Sequence, residues 1–224
     1  MRNRIHPVPT LMGSLLIVAS LVSVPGTAAA VKLTTDICET PSYGRAALGE
    51  DYYDLTPFSI SAETSAALND FYEKLQGRWS GEMIDRPCTR MTDDHPREPK
   101  HYLLDNTTTD LQDNGLFILR TEKKRIEPRP GSGKHKIVAV VPNTRLDFLP
   151  GKDLSALEMP DSNTVTAVAR YQQRNAASQG TSRTSLRERQ DTLMLVGDTL
   201  LIQTRWYING YYTGTESLRL TRQN

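Results

Sequence analysis

Apolar positions change their spacing once along this chain, and the change divides it. Between Ser61 and Leu75, residues Ala67, Leu68, Phe71, Tyr72 and Leu75 recur three and four apart, which lines up one face of a helix. Ser59 or Ser61 can cap its start, Glu63 sits in the first turn where the helix dipole favours an acid, and Gln76-Gly77 ends it. The pattern predicts a short amphipathic helix over 61–75. Before it, residues 31–58 carry Pro41, Gly44, Gly49 and Pro57 with no sustained period and read as an irregular arm.

After Gly77 the spacing shortens toward two. Candidate strands are Arg78–Ile84, His101–Thr108, Leu116–Lys123, Lys136–Val141, Arg145–Leu149, Thr164–Tyr171, Ser185–Gln190, Leu193–Val196, Leu200–Ile208 and Tyr211–Leu220. Each is short and bounded by Gly, Pro, Asn or Asp, as in all-β sandwiches and barrels. Residues 85–100 and 173–183 read as polar loops, and Gly131-Ser132-Gly133 as a flexible link. The expected architecture is an all-β, antiparallel up-and-down β-barrel domain over 59–224 that opens with the helix 61–75, preceded by the arm 31–58.

The C-terminus is the most explicit stretch. Asn209-Gly210 suits a type I′ turn, whose central residues need positive φ. A two-residue loop sets Ile208 opposite Tyr211 and Trp206 opposite Thr213. Carried on unbroken, this register puts Leu200, Ile202, Thr204, Trp206 and Ile208 on one face with Tyr211, Thr213, Thr215, Ser217 and Arg219. Arg205 and Glu216 fall on the opposite face as an exposed ion pair of small value. Gly197-Asp198 turns the preceding strand into this hairpin, so three consecutive strands form a meander.

The N-terminus alters the picture of where the protein works. Arg2 and Arg4 precede an uncharged run from Leu11 to Val24 that is nearly all apolar or small, followed by Ala28-Ala29-Ala30, the order of an export signal with its cleavage site. The run is shorter than the ~20 residues a membrane span takes, so residues 1–30 are expected to be a signal peptide. No span is then expected after cleavage, and a periplasmic or secreted location follows. Removing Arg2 and Arg4 takes 27 basic residues to 25, against 26 acidic ones. That balance offers no basic stripe for nucleic acid. Cys38 and Cys88 are the only cysteines, and in an oxidising compartment an even pair reads as a disulfide. It would close a loop of about 50 residues, for roughly 4 kcal/mol.

A capped helix followed by Gly77-Arg78-Trp79 at the opening of an all-β chain resembles the start of lipocalin-like (calycin-type) barrels. In that family the Trp of a Gly-x-Trp motif plugs the closed barrel end, and an Arg from near the last strand packs across its indole. The resemblance implies structural roles for Gly77 and Trp79, with Arg219 the best match for the Arg and Arg222 the alternative. It covers residues 60–84 and 191–222 directly; the middle matches only in its rhythm of strands.

Candidate chemistry is sparse. Large apolar groups beside small hydroxyls on the Trp206 face, and the alternation Val165, Ala167, Ala169, Tyr171, suit a small barrel that holds one ligand. Trp206, Ile208, Tyr211, Thr213 and Tyr171 are the expected ligand-binding residues. Asp93, Asp94, His95 and His101 have no standard metal spacing and read as a solvated loop, so neither a metal nor a cofactor is expected. Gly131-Ser132-Gly133-Lys134 lacks the full phosphate-loop pattern and its helix. No Gly-x-Ser-x-Gly elbow and no His-Glu-x-x-His occurs, no catalytic residue is assigned, and a barrel enzyme stands as a third class that would need acid–base groups converging inside the cavity. Arg187 and Arg189 would share one strand face, which reads as solvated or as an attraction for an anionic polymer. Two functions follow: an exported, non-catalytic binder of a small apolar or amphipathic ligand, or an envelope module whose filled barrel binds a protein or polymer through its loops. An outer-membrane barrel is rejected, because neither face of the C-terminal hairpin makes a lipid-facing apolar band.

Overall fold

The computed structural model describes residues 55–56, 58–88, 98–111, 117–149, 153–175 and 183–223. The expected signal peptide, most of the arm, Cys38 with its pairing to Cys88, and Asp93, Asp94 and His95 lie outside the described residues.

Helix α1 spans Ala62–Leu75, and the Ser61 hydroxyl accepts the Thr64 N–H at 3.1 Å, a cap where the apolar period begins. Among the described residues nine strands follow: β1 (Arg78–Pro87), β2 (Lys100–Leu111), β3 (Phe117–Pro128), β4 (His135–Phe148), β5 (Leu154–Asp161), β6 (Thr164–Asn175), β7 (Arg183–Val196), β8 (Thr199–Ile208) and β9 (Tyr211–Gln223). Two pairs of expected strands are each continuous. Pro142-Asn143 reads as a turn, yet β4 absorbs it as a bulge, with Asn143 at φ 52° and a register shift opposite Thr121–Lys123. Asp191-Thr192 likewise breaks nothing, because both residues pair on each side within β7. β5 is not among the strands expected from sequence; its alternation is imperfect and it contains Pro160, which only an edge strand tolerates.

The strands form one antiparallel up-and-down sheet in the order β4-β3-β2-β1-β9-β8-β7-β6-β5. The first strand pairs along its whole length with the last, from Arg78 opposite Gln223 to Pro87 opposite Gly214. β4 and β5 are the two edges, and the sheet is not closed into a barrel. It is nevertheless strongly curled, since the Arg189 guanidinium on β7 lies 5.1 Å from the Phe148 ring on β4, six strands away in the order. Among the described residues, no helix is long and apolar enough to cross a membrane.

The core fills the concave side. Leu68, Phe71, Tyr72 and Leu75 of α1 meet Trp79, Met83, Leu104, Phe117, Leu119, Phe148, Leu193, Leu200 and Leu218 in one cluster. Tyr72 stacks on Phe117 at 5.3 Å, and Phe117 tilts against Phe148 at 6.1 Å. Trp79 is fully buried, and its indole N–H donates to the Leu75 carbonyl at 2.9 Å. Helix and indole together seal one end of the curled sheet.

The register of the last hairpin differs from the unbroken one. Asn209 and Gly210 turn as expected at φ 49° and 85°, and Ile208 faces Tyr211. Trp206, however, faces Gly214, and Thr213 is an extra residue between the pairs. Gly214 explains the position of this bulge: its φ is +153°, and a Cβ there would stand 2.9 Å from the Arg86 carbonyl oxygen. A slip of one residue sends every later side chain to the other face. Leu218 and Leu220 are buried opposite Ile202 and Leu200, Arg219 is exposed opposite Leu201, and Thr215 and Ser217 lie on the convex face.

Candidate functional site

At the sealed end, the arginine over the Trp79 indole is Arg222 and not Arg219, with 4.5 Å from guanidinium carbon to ring centroid. The bulge is the cause, since it turns Arg219 outward and Arg222 inward opposite Trp79. Arg222 also donates to the carbonyls of Lys74 and Gln76, both at 2.5 Å. A cation thereby satisfies acceptors left over at the C-terminus of α1. Gly77 turns the chain at φ +130°, with a Cβ position only 3.1 Å from Arg222 Nη1.

Away from this seal the concave face becomes polar. In β7, Asp191 is 2 % exposed and fully engaged: Oδ2 accepts the Leu149 N–H at 3.0 Å, while Oδ1 accepts Arg189 Nε at 2.8 Å and the Thr204 hydroxyl at 2.6 Å. Arg189 is held between two rings, its guanidinium carbon 5.1 Å from Phe148 and 4.9 Å from Trp206. A guanidinium prefers this arrangement, with its faces on aromatics and its edge on a carboxylate. Arg187 and Arg189 thus belong to the inner face, which corrects their reading as a solvated outer pair. Burial is also the main force raising the Tyr72 phenol pKa, with the Asp191 charge second.

Across the β1–β9 seam, Asp85 stands directly opposite Glu216 on the concave side. Glu216 is not the exposed partner of Arg205; it pairs with Thr204, while Arg205 faces Thr215 on the convex side. Burial and then the Asp85 charge raise the Glu216 pKa above the usual carboxylate value, and Arg189 and Lys123 pull it back in part. Lys123 of β3 has its ammonium 4.0 Å over the Tyr102 ring; burial lowers its pKa, against the opposing pull of Glu216 and Asp85. The Tyr102 phenol is raised by burial first and by Asp85 second.

The sign of the Glu216 shift predicts a pH effect. A carboxyl whose folded pKa exceeds its unfolded one favours the neutral form in the fold, so its ionisation costs stability at pH values above the folded pKa. Glu216→Gln is therefore expected to raise the melting temperature at neutral pH. The gain shrinks as pH falls through the folded pKa and is absent below the unfolded one. Thermal melts of both proteins across that window test this, and a gain independent of pH contradicts it.

Of the expected ligand-binding residues, Tyr171, Trp206, Ile208 and Tyr211 do share the concave face, linked by the pairs Tyr171–Arg187, Arg187–Ile208 and Ile208–Tyr211. Thr213 does not join them as a free hydroxyl, because it is the bulge residue and donates to the Trp206 carbonyl at 3.1 Å. The polar and ionisable groups Asp85, Tyr102, Lys123, Asp191 and Glu216 are absent from the sequence-based set. Gly214 was the available signal for Glu216, since an isolated glycine in a strand marks a bulge. Asp191 sits in the alternation Arg187, Arg189, Asp191, Leu193, which continues through the supposed break. Recesses lie elsewhere among the described residues, including one of about 770 Å³ between the end of α1 and β2, lined by Tyr72, Gln76 and Thr109, and one of about 330 Å³ against Met194 and Leu201.

Among the described residues, no group of three or more His, Cys, Asp or Glu is placed to hold a metal ion. Compared with known proteins, the chain matches no protein-family model and no curated protein.

Proposed function

We propose that this chain is an exported, lipocalin-like protein, periplasmic or secreted, that binds one small amphipathic molecule on its concave face without transforming it. The observation that carries this reading is the gradient along that face. An apolar floor of Trp79, Met83, Leu104 and Leu218 gives way to Trp206, Tyr102, Lys123, Arg189 and Glu216 within one curled sheet. Beyond that buried floor an apolar tail gains by desolvation against the half-buried rings of Trp206 and Tyr102, and fixed polar groups orient a head group. The β4 and β5 edges would flank the ligand if the sheet closes around it, and a Cys38–Cys88 disulfide would tie the arm to the end of β1.

Tryptophan emission reports the site directly, since the chain has two tryptophans. In a Trp79→Phe protein, which keeps Trp206 alone, titration with a fluorescent fatty-acid analogue is expected to shift the emission saturably. Trp206→Phe is expected to abolish the site-specific part of the change. A Trp79→Phe protein that shows no shift with fatty-acid, lysolipid or haem probes removes the proposal.

One observation favours the alternative of an envelope interaction module: the outer half of β4 is an exposed apolar edge. Under that reading the concave face is filled by its own side chains, and binding of a protein partner survives substitution of Trp206.

A further inference from the structure

We propose that the head group of the bound amphiphile is an oxyanion, a carboxylate or a phosphate monoester, and that Arg187 holds it. The inference deepens the ligand reading above and rests on it. Arg187 lies on the concave face of β7, paired with Tyr171 of β6 and Ile208 of β8, and Ile208 in turn faces Tyr211 of β9. These four residues form one row across the sheet, and all are half-buried. The row is at the end away from the indole seal, because β9 starts at Tyr211 and reaches Trp79 only at Arg222.

Arg187 differs from its neighbours in having no partner. Its Nε is shut off from solvent and, among the described residues, donates to nothing. Two residues further along β7, Arg189 Nε is held by Asp191 at 2.8 Å, and on the convex side Arg170 Nε is held by Glu188 at 2.7 Å. Asp191 is engaged on both oxygens. Glu216 and Asp85 share the row of Asp191, through the pairs Asp191–Thr204, Thr204–Glu216 and Glu216–Asp85. That row is about 13 Å of strand away from Arg187. An anion at Arg187 is therefore kept clear of the carboxylate pair.

A desolvated donor on a charged group is costly when nothing accepts from it, and in folded proteins such a group marks a missing partner. Nε–H and the neighbouring Nη–H form one edge of the guanidinium, which takes two oxygens of a carboxylate or phosphate side by side. Trp206 sits one row deeper, opposite Arg189. Its half-buried ring offers apolar surface to the tail beside the anchor. Cation and ring together fit an amphiphilic anion.

Isothermal titration of the whole chain with decanoate, decyl phosphate, decyltrimethylammonium and decyl maltoside, each below its micelle concentration, varies the head group on one tail. The parent is expected to bind the two anions on the order of tenfold more tightly than the other two. Arg187→Gln is expected to lose that tenfold for the anions and to leave decyl maltoside within about twofold. Arg187→Lys keeps the charge without the fork and is expected to recover only part of the preference. Tighter binding of decanoate or of decyl phosphate then names the oxyanion, and either result supports the anchor. Without ligand, Arg187→Gln is expected to melt no lower than the parent, since it removes an unpaired charge. Anions that bind no tighter than decyl maltoside, or anion binding untouched by Arg187→Gln, overturn the anchor while the ligand reading stands. Absence of binding for every probe overturns both. A lower melt for Arg187→Gln with anion binding intact assigns the guanidinium to a carboxylate of its own chain, and also overturns the anchor.

Discussion

Trp79→Ala is expected to lower the unfolding free energy by about 3–5 kcal/mol, the cost of emptying a fully buried indole site. At this size that corresponds to a fall in melting temperature of roughly 10 °C. The loss has three parts that act together. The ring leaves a void among Leu75, Leu104 and Leu220, the Leu75 carbonyl loses one of its two donors and keeps the Thr109 hydroxyl at 3.0 Å, and Arg222 loses the surface under its guanidinium. Trp79→Phe keeps most of the volume and is expected to cost clearly less. Arg222→Ala removes the stacking and the helix-end contacts but no core volume, and is expected near 1 kcal/mol. A Trp79→Ala protein that melts within about 2 °C of the parent would mean that the indole does not seal this end.

Gly81→Ala is expected to do comparable damage by the opposite route. A Cβ at residue 81 would stand 1.9 Å from the Arg219 carbonyl oxygen and 2.9 Å from the Arg219 carbonyl carbon and Leu220 Cα. These are backbone atoms of β9, which no side-chain rotation can clear. Relief requires β1 and β9 to part at Gly81–Leu220, in the middle of the seam joining the first and last strands. We expect a loss of roughly 3 kcal/mol or more, with circular dichroism showing an early, broadened melt. Gly131→Ala is the matching control: its hairpin-tip position has nothing within 4 Å, so only the strain of a positive φ remains. A Gly81→Ala protein as stable as that control would show that the close β1–β9 approach is wrong.

The candidate site owes its present form to one bulge. With an unbroken register, the inner face carries Thr215, Ser217 and Arg219, a lining of hydroxyls and one cation. With Thr213 looped out, it carries Glu216, Leu218 and Leu220. A ligand face of hydroxyls becomes an apolar floor with a carboxylate pair, and the proposed ligand becomes amphipathic with a head group that the charges select.

Local chemistry was enough to write much of this protein. The helix, its Ser61 cap, the stop at Gly77 and the Asn209-Gly210 turn follow from residues within a few positions of one another, and all are as expected from the chain alone. So are the antiparallel up-and-down order and the inward alternation of Val165, Ala167 and Ala169. Three features depended on partners distant in sequence. The Pro142-Asn143 and Asp191-Thr192 breaks are bridged because neighbouring strands hold both sides in register, a tertiary hydrogen-bond ladder that no local window contains. β5 forms because β6 offers it a ladder, despite Pro160. The faces of β9 reverse because Gly214 meets the Arg86 carbonyl of a strand more than a hundred residues earlier. Propensity and periodicity act over a turn or two of chain, so they name the elements; register and facing come from contacts between strands, and those are settled only when the sheet assembles.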